Sequence, residues 1–209
     1  MTITAAADGS ALGNPGPAGW AWYIDDDRWA AGGWPHGTNN MGELKAVLEL
    51  FRATAEVDDD LLVLCDSQYV INSVVKWMPG WKRKGWRKAD GAPVMNVELM
   101  KDIDAALQGR RYRFEWVKGH VGHELNEAAD ERARGAATAY QRGSDVFEGP
   151  GFTPLTASVA SRPAVAAAPR SRRVTLDLSE EEWGALERRA RDAAVSPEAL
   201  LRSLATGAR

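Results

Sequence analysis

Two short apolar stretches of this chain each end on a single carboxylate. The first runs from Thr2 to Ala7, and Asp8 and a turn rich in glycine and proline follow it. The second, Leu61 to Cys65, is a continuous apolar run typical of a buried central strand, and it stops at Asp66. Ligands of open α/β sheets gather outside the carboxyl ends of strands, so both acids become candidates for a binding site. A solvated turn at Asp8 or a helix N-cap at Asp66 would explain either acid alone.

Hydrophobic periodicity predicts that strands and helices continue through the residues before 148. Strands are predicted at 19–24, 28–33 and 111–117, with a hairpin turn at 25–27. Helices are predicted after 38–40, after Asp66, over 96–107 and from about 124. The single cysteine, Cys65, excludes an intrachain disulfide, and no segment resembles a leader or a membrane span. We therefore expect a soluble, cytoplasmic α/β protein that does not bind membranes.

A basic and aromatic cluster, which we define as residues 76–88, interrupts this alternation. It holds six basic residues and three tryptophans in thirteen positions. Tryptophan interleaved with lysine and arginine suits base stacking and phosphate contact, which favours nucleic-acid binding over a solvated protrusion. The net charge of −3 does not oppose this prediction, because local patches decide phosphate binding.

Two more acids lie at the edges of predicted helices. Glu43 is expected in the first turn of one helix, where the helix dipole alone would favour an acid, and Asp130 in the second turn of another. If the sheet brings these acids to Asp8 and Asp66, the four charges raise one another's pKa unless divalent cations neutralise them. Mg²⁺ prefers such oxygen ligands, and two ions about 4 Å apart can catalyse phosphodiester hydrolysis. The paired histidines nearby lack further ligands at zinc spacing, which favours a single catalytic His120.

Several of these segments together resemble bacterial ribonuclease HI, in the same order and over about residues 1 to 140. The segments are 8–17, 38–44, 65–70, the basic and aromatic cluster, 116–123 and 126–130. The resemblance implies a mixed five-stranded sheet flanked by helices. It also implies endonucleolytic hydrolysis of the RNA strand of RNA–DNA hybrids with two Mg²⁺ or Mn²⁺ ions. The products would carry 5′-phosphate and 3′-hydroxyl ends, and the cellular roles would be removal of RNA primers and R-loops.

The resemblance also implies a role for each matching residue. Asp8 would bridge both metal ions, Asp130 would complete one metal site, and Glu43 and Asp66 the other. His120 would assist proton transfer or product departure. The implied substrate contacts are Asn14, Asn39 and Gln68 in the minor groove, Thr38 and Asn40 at a DNA-strand phosphate, and Trp77, Trp81, Lys82, Arg83, Lys84, Trp86, Arg87 and Lys88 in the cluster. Gly42 departs from the family pattern and is expected to weaken the helix start.

The composition of the chain after residue 147 predicts a separate C-terminal part. We expect a catalytic domain over 1–147, a flexible linker rich in proline, alanine and serine over 148–172, and a small β-α-α segment over 173–209. The last segment begins with an alternating strand, and a capping signature at 179–182 opens a helix. It resembles a ribbon-helix-helix unit, which implies homodimerisation or DNA contact. The alternative for this segment is a helical hairpin that only tethers or associates.

For the chain as a whole, two alternatives to an active nuclease are considered. One is a hybrid-binding module that has lost catalysis, and the other is a DNA-binding regulator built on the C-terminal segment.

Overall fold

Five strands form one mixed sheet in the computed structural model, which describes residues 1–119, 121–154, 179–192 and 201. The strands are β1 (Thr2–Ala11), β2 (Gly16–Asp25), β3 (Arg28–Gly37), β4 (Asp60–Cys65) and β5 (Tyr112–Trp116). Their order across the sheet is β3-β2-β1-β4-β5. The pairs β1–β2 and β2–β3 are antiparallel, whereas β1–β4 and β4–β5 are parallel. This topology confirms the predicted mixed five-stranded sheet.

Six α-helices flank or follow these strands in the described ranges. They are α1 (Asn39–Ala53), α2 (Gln68–Ile71), α3 (Met78–Arg83), α4 (Val97–Ala106), α5 (Glu124–Arg142) and α6 (Glu180–Asp192). A π-helical segment (Asn72–Trp77) joins α2 to α3. Among the residues that the structure describes, no helix combines the length and the apolar character needed to span a bilayer.

The central strand β1 is covered by helices on both faces. Ala5 and Ala7 belong to the apolar cluster that contains Leu44 of α1, whereas Ala6 belongs to a separate cluster with Ala129 of α5. Successive side chains of a strand point to opposite faces, so α1 and α5 pack on opposite sides of β1. Alanine at all three positions keeps the helices close to the sheet, and a larger side chain there would cost about 1–3 kcal/mol in overpacking.

Glycine brings the start of α1 even closer to the sheet. A Cβ atom at Gly42 would lie 2.5 Å from the carbonyl oxygen of Gly19 and 3.1 Å from the Cα atom of Gly9. Backbone therefore packs on backbone here, which no larger residue allows. Glycine costs about 1 kcal/mol of helix propensity relative to alanine, as the sequence predicts. In return it positions the next residue, Glu43, beside β1.

The structure corrects the predicted position of Asp8 within its strand. We expected Asp8 to end β1, but β1 continues to Ala11 and Asp8 pairs with Ala21 of β2. The antiparallel ladder with β2 holds the chain extended after the parallel ladder with β4 has stopped at the pair Ala6–Leu64. Asp8 is thus inside its own strand but beyond the carboxyl end of the neighbouring strand.

Residues 148–152 lie against β3, although the sequence predicts that a flexible linker begins at 148. The amide of Ala31 donates to the carbonyl of Glu148 at 3.0 Å, and the amide of Gly151 donates to that of Trp29 at 3.0 Å. The Phe147 ring meets the Trp29 ring edge-on, with centroids 5.2 Å apart. These contacts satisfy backbone groups on the free edge of β3, so the predicted linker can start only after them.

The chain divides into two units, Met1–Ser161 and Arg162–Arg209. In the second unit, the predicted capping signature is confirmed. The Ser179 amide and hydroxyl each lie 2.8 Å from Glu182 Oε2, and the Glu182 amide donates back to the Ser179 hydroxyl at 3.3 Å. The predicted strand at 173–178 lies outside the described residues, as does all of the second predicted helix except residue 201. The ribbon-helix-helix assignment therefore stays a prediction.

Candidate active site

The parallel register of β1 and β4 places two acids side by side. The last pair between these strands is Ala6–Leu64, and each strand carries its acid two residues later, at Asp8 and Asp66. Asp8 is only 5% exposed, and its Oδ1 atom accepts a hydrogen bond of 2.7 Å from the Gly9 amide. The two strands thus bring their carboxylates to one edge of the sheet, as their shared sequence pattern predicts.

Glu43 reaches the same place from α1. The helix begins at Asn39, with Thr38 as its N-cap, so Glu43 follows the first turn and does not lie in it as predicted. Its side chain is 7% exposed and accepts hydrogen bonds from Asn39 Nδ2 at 2.8 Å and from Ser67 Oγ at 2.5 Å. Two fixed donors therefore orient the Glu43 carboxylate.

Ser67 is a site residue that the sequence reasoning missed. Its hydroxyl accepts a hydrogen bond from the Val70 amide at 3.4 Å, which caps α2, while it donates to Glu43. The N-cap is therefore Ser67, and the alternative interpretation of Asp66 as a structural cap is wrong. Serine directly before a helix is a common N-cap signal, and it would have pointed to Ser67.

The chain after β5 passes directly against Asp66. A Cβ atom at Gly119 would overlap the Oδ2 atom of Asp66, so a larger residue there would displace the Asp66 carboxylate. On the other side, the indole N–H of Trp116 donates to the Asp66 backbone carbonyl at 3.0 Å. These two contacts hold Asp66 between β5 and the loop that follows. The predicted catalytic His120, the next residue in that loop, lies outside the described residues.

Three carboxylates converge at this edge of the sheet. Asp8, Glu43 and Asp66 each offer an oxygen atom, and these atoms all lie within 4.8 Å of one another. Burial, together with the charge of Asp66, raises the pKa of Asp8 to about 8. Burial also raises the pKa of Glu43 to about 7, against the opposing effect of its hydrogen bond from Ser67. Ionised oxygens held this close need a positive charge between them, so the donor set fits a hard divalent cation.

The fourth predicted acid, Asp130, lies close to this group without belonging to it. Its charge contributes to the raised pKa of Asp8, and it comes from α5, which packs on β1. Its Oδ2 atom accepts a hydrogen bond of 3.3 Å from Arg134, one turn further along the helix. Asp130 thus borders the three convergent carboxylates from the α5 side of the sheet.

The predicted minor-groove residues surround the helix starts next to the carboxylates. Asn14, in the loop after β1, accepts a hydrogen bond of 3.3 Å from the Asn39 amide. Asn39 also donates to Glu43, so it connects the loop to the carboxylate group. Gln68 is exposed at the start of α2, and Asn40 lies in the first turn of α1 beside the Thr38 cap. Asn14 and Asn39 are thus connected to Glu43, and Gln68 follows Asp66 by two residues.

The basic and aromatic cluster forms a separate surface built from the π-helical segment, α3 and the turn after it. Trp77 is 43% exposed, and its ring centroid lies 5.7 Å from that of Trp81. These two rings, with Tyr69, Lys88, Val94 and Met95, line a cavity of about 470 Å³. Trp86 is half-buried with a φ of 62°.

The basic side chains of this cluster differ in their surroundings. The Lys82 ammonium pairs with Asp104 of α4 at 2.7 Å, and the Arg87 guanidinium donates to the Gly91 carbonyl at 2.9 Å. Arg83 and Lys84 are exposed at the end of α3. The positive charge of Lys82 is thus partly compensated within the protein.

Comparison with known proteins agrees with this geometry. Residues 1–138 match the family model of RNase H. The chain belongs to the ribonuclease H family. A ribonuclease H of Tropheryma whipplei (strain Twist) is 52% identical over 155 residues, which cover 74% of this chain and 96% of that protein. A ribonuclease HI of Streptomyces coelicolor is 44% identical over 153 residues, with coverage of 70% and 66%.

A solved structure gives the same result. LC9-RNase H1, described as a type 1 RNase H with the type 2 active-site motif, matches with a TM-score of 0.58 and 28% identity. The match covers 80% of this chain and 85% of that one. The ribonuclease H resemblance and the expected fold are therefore confirmed. As a ribonuclease H, the chain cleaves the RNA strand of RNA–DNA hybrids endonucleolytically.

Proposed function

We propose that this ribonuclease H hydrolyses its substrate with two Mg²⁺ ions, held by Asp8, Glu43, Asp66 and Asp130, and that Mn²⁺ can replace Mg²⁺. The observation that carries the proposal is the convergence of three carboxylates, two of them buried with raised pKa values. When bound, the ions would activate water and stabilise the leaving oxygen of the phosphodiester. The products would then carry 5′-phosphate and 3′-hydroxyl ends.

The protein's own contribution is to hold the acids in place. Asp8 is fixed by its strand and lies between the groups contributed by α1, β4 and α5, which suits a ligand shared by both ions. Glu43 is oriented by Asn39 and Ser67. Outer hydrogen bonds of this kind fix the rotamer of a metal ligand, and their loss typically costs 10- to 100-fold in affinity or activity.

We propose that the hybrid lies across the helix starts and the basic and aromatic cluster. Asn14, Asn39 and Gln68 would contact the minor groove, where 2′-hydroxyl groups distinguish RNA from DNA. Thr38 and Asn40 would hold a phosphate of the DNA strand, and the cluster would hold further phosphates and sugars. Their positions around the carboxylates support this arrangement. The cellular roles would be primer and R-loop removal in the cytoplasm.

We also propose that His120 assists proton transfer or product departure. It follows Gly119 directly, and Gly119 lies against Asp66, which supports a role at the carboxylates. The C-terminal segment 173–209 would pair two chains or contact DNA, and its confirmed capping box agrees with an ordered first helix.

The experiment that tests this function is cleavage of an end-labelled RNA–DNA hybrid. Matched RNA duplex, DNA duplex and single-stranded RNA serve as controls, each with Mg²⁺, with Mn²⁺ or with a chelator. We expect cleavage of the RNA strand of the hybrid alone, only with a divalent cation, and with 5′-phosphate on the products. Cleavage that persists in chelator would contradict the metal-dependent mechanism.

A further inference from the structure

A small cavity opens beside Asp66, on the side of the site that faces β5. It has a volume of about 300 Å³ and is lined by Gln68, Ile71, Asn72, Lys76 and Trp116. Gln68 has a part in the function proposed above, and Lys76 is the first residue of the basic and aromatic cluster, but Ile71, Asn72 and Trp116 have no part in it. Together with Lys76, these three residues bring an amide, an ammonium group, an indole and an aliphatic side chain to one place.

Trp116 joins this cavity to the carboxylates. It is the last residue of β5, where it pairs with Cys65, and its indole N–H donates to the Asp66 carbonyl at 3.0 Å. The next residue, Val117, is buried in the cluster with Ala129 of α5. Successive residues of an extended chain point to opposite faces, so Trp116 points toward α2. Half of its surface is exposed, and the indole forms one wall of the cavity.

The opposite wall comes from α2 and the π-helical segment. Gln68, Asn72 and Lys76 recur every four residues, a spacing that keeps them on one side of a helix. Gln68 and Lys76 are exposed, and Asn72 is partly buried. Single turns of π-helix inside α-helices occur frequently at functional sites. Here the segment presents Asn72 and Lys76 beside Trp116.

We propose that Asn72, Lys76 and Trp116 form a subsite for one nucleotide of the RNA strand, next to the scissile phosphodiester. The inference rests on the proposed function, which places that phosphodiester at Asp8 and Asp66. A strand positioned there must continue past Asp66, and the cavity is the adjoining surface. The indole supplies a stacking face, Lys76 neutralises a phosphate, and Asn72 exchanges hydrogen bonds with a 2′-hydroxyl group.

Steady-state cleavage of a labelled hybrid tests the subsite through KM. Lys76→Met should raise KM and reduce the slope of log KM against log salt by about 0.7–0.9, the value for one phosphate contact, while kcat is retained. As the control, Lys101→Met removes the same charge from α4, where Lys101 pairs with Glu98. This variant should change neither KM nor the slope of log KM against log salt. Trp116→Leu should raise KM by roughly fivefold or more through lost stacking.

Two further measurements separate binding from support of Asp66. Trp116→Phe keeps an aromatic face but loses the N–H donor, so its KM should stay closer to that of the wild type than the KM of Trp116→Leu. Hybrids with one RNA nucleotide at a time replaced by its 2′-deoxy analogue locate the hydroxyl contact. At one position near the cleavage site, the substitution should raise KM for the wild type and have no further effect on Asn72→Ala.

The results distinguish this inference from the function on which it rests. Wild-type KM and salt slopes in both Lys76→Met and Trp116→Leu would overturn the subsite, even when the wild type cleaves the hybrid with Mg²⁺. Equal sensitivity of Asn72→Ala and the wild type to every 2′-deoxy substitution would overturn the role of Asn72. Wild-type cleavage that needs no divalent cation would instead count against the two-metal proposal and leave these comparisons of KM intact.

Discussion

The carboxylate site and the basic and aromatic cluster, which we propose act on the same substrate, are built in two physically different ways. The carboxylates are supplied by strands and helices of the core, are mostly buried, and are oriented by short hydrogen bonds such as that from Ser67 to Glu43. The cluster lies on α3 and a turn, with Arg83 and Lys84 exposed. The first region concentrates negative charge at one point, whereas the second spreads positive charge over a surface. Substitutions should therefore act on turnover in the first region and on affinity in the second.

The largest effect should come from Asp8, which lies at the centre of the carboxylates. Asp8→Asn keeps the size of the side chain but cannot bridge two cations as a carboxylate does. A lost metal contact removes several kcal/mol of transition-state stabilisation, so kcat should fall roughly 1,000-fold. Single-turnover cleavage of the hybrid measures this, and binding by gel shift should be retained. Turnover within tenfold of the wild type would break the assignment.

A smaller effect on the same side of the comparison is expected from Ser67. Ser67→Ala removes the donor to Glu43 and the cap of α2, and we expect roughly 10- to 100-fold slower turnover with little change in hybrid affinity. Ser67→Thr keeps the hydroxyl and is the matched control, which should recover most of the rate. Equal rates for the alanine and threonine variants would show that the hydroxyl does not orient Glu43.

The residues of the carboxylate site also show what could and could not be predicted from the sequence. Asp8 and Asp66 were predictable because an apolar run that stops at an acid is a local pattern, and parallel strands bring such ends together. Glu43 was identified as a site residue, but its helix begins earlier than expected, at Asn39, so Glu43 follows the first turn. Ser67 was missed because its bond to Glu43 joins residues 24 positions apart, which no local periodicity reports.

Close packing and long-range pairing were equally outside the reach of local patterns. Gly42 reads as a weak helix former, and only the sheet beneath it shows why glycine is needed there. Residues 148–152 have the composition of a linker, yet the free edge of β3 pairs with their backbone. Lys82 reads as one more cation of the cluster, and its pairing with Asp104 depends on the packing of α4.

The pairing of Lys82 sharpens the comparison within the cluster. Replacing Arg83 and Lys84 together with alanine should weaken hybrid binding and lower the salt slope of log K by as much as about 1.8, or 0.9 for each phosphate contact. Lys82→Ala should change the slope less, because Asp104 partly compensates that charge. Titrations of hybrid binding at several salt concentrations measure both. A larger slope change for Lys82→Ala would reverse this ranking.

The smallest effect is expected from removal of the C-terminal part. A chain that ends after Pro154 keeps all four acids and the contacts of residues 148–152 with β3, so kcat should stay within about twofold of the full chain. Ending the chain after Phe147 instead exposes the edge of β3 and should lower the melting temperature. Light scattering on the full and the 154-residue chains tests the predicted homodimer. A monomeric full chain would favour the helical-hairpin alternative.

The buried carboxylates should form a cation site, and thermal unfolding at two pH values tests this most directly. The folded-state pKa values of Asp8 and Glu43, about 8 and about 7, lie above their ordinary values. Between pH 4 and 8 the folded state therefore binds more protons than the unfolded state, and these groups lower the free energy of unfolding as pH rises.

Without divalent cations, the melting temperature of the wild type should therefore fall more between pH 6.0 and pH 8.5 than that of Asp8→Asn. Mg²⁺ binds the ionised acids of the folded state and should raise the wild-type melting temperature most at pH 8.5, with a smaller rise in Asp8→Asn. Equal shifts with Mg²⁺ in the two proteins, or no shift in the wild type at pH 8.5, would contradict a cation site built on Asp8.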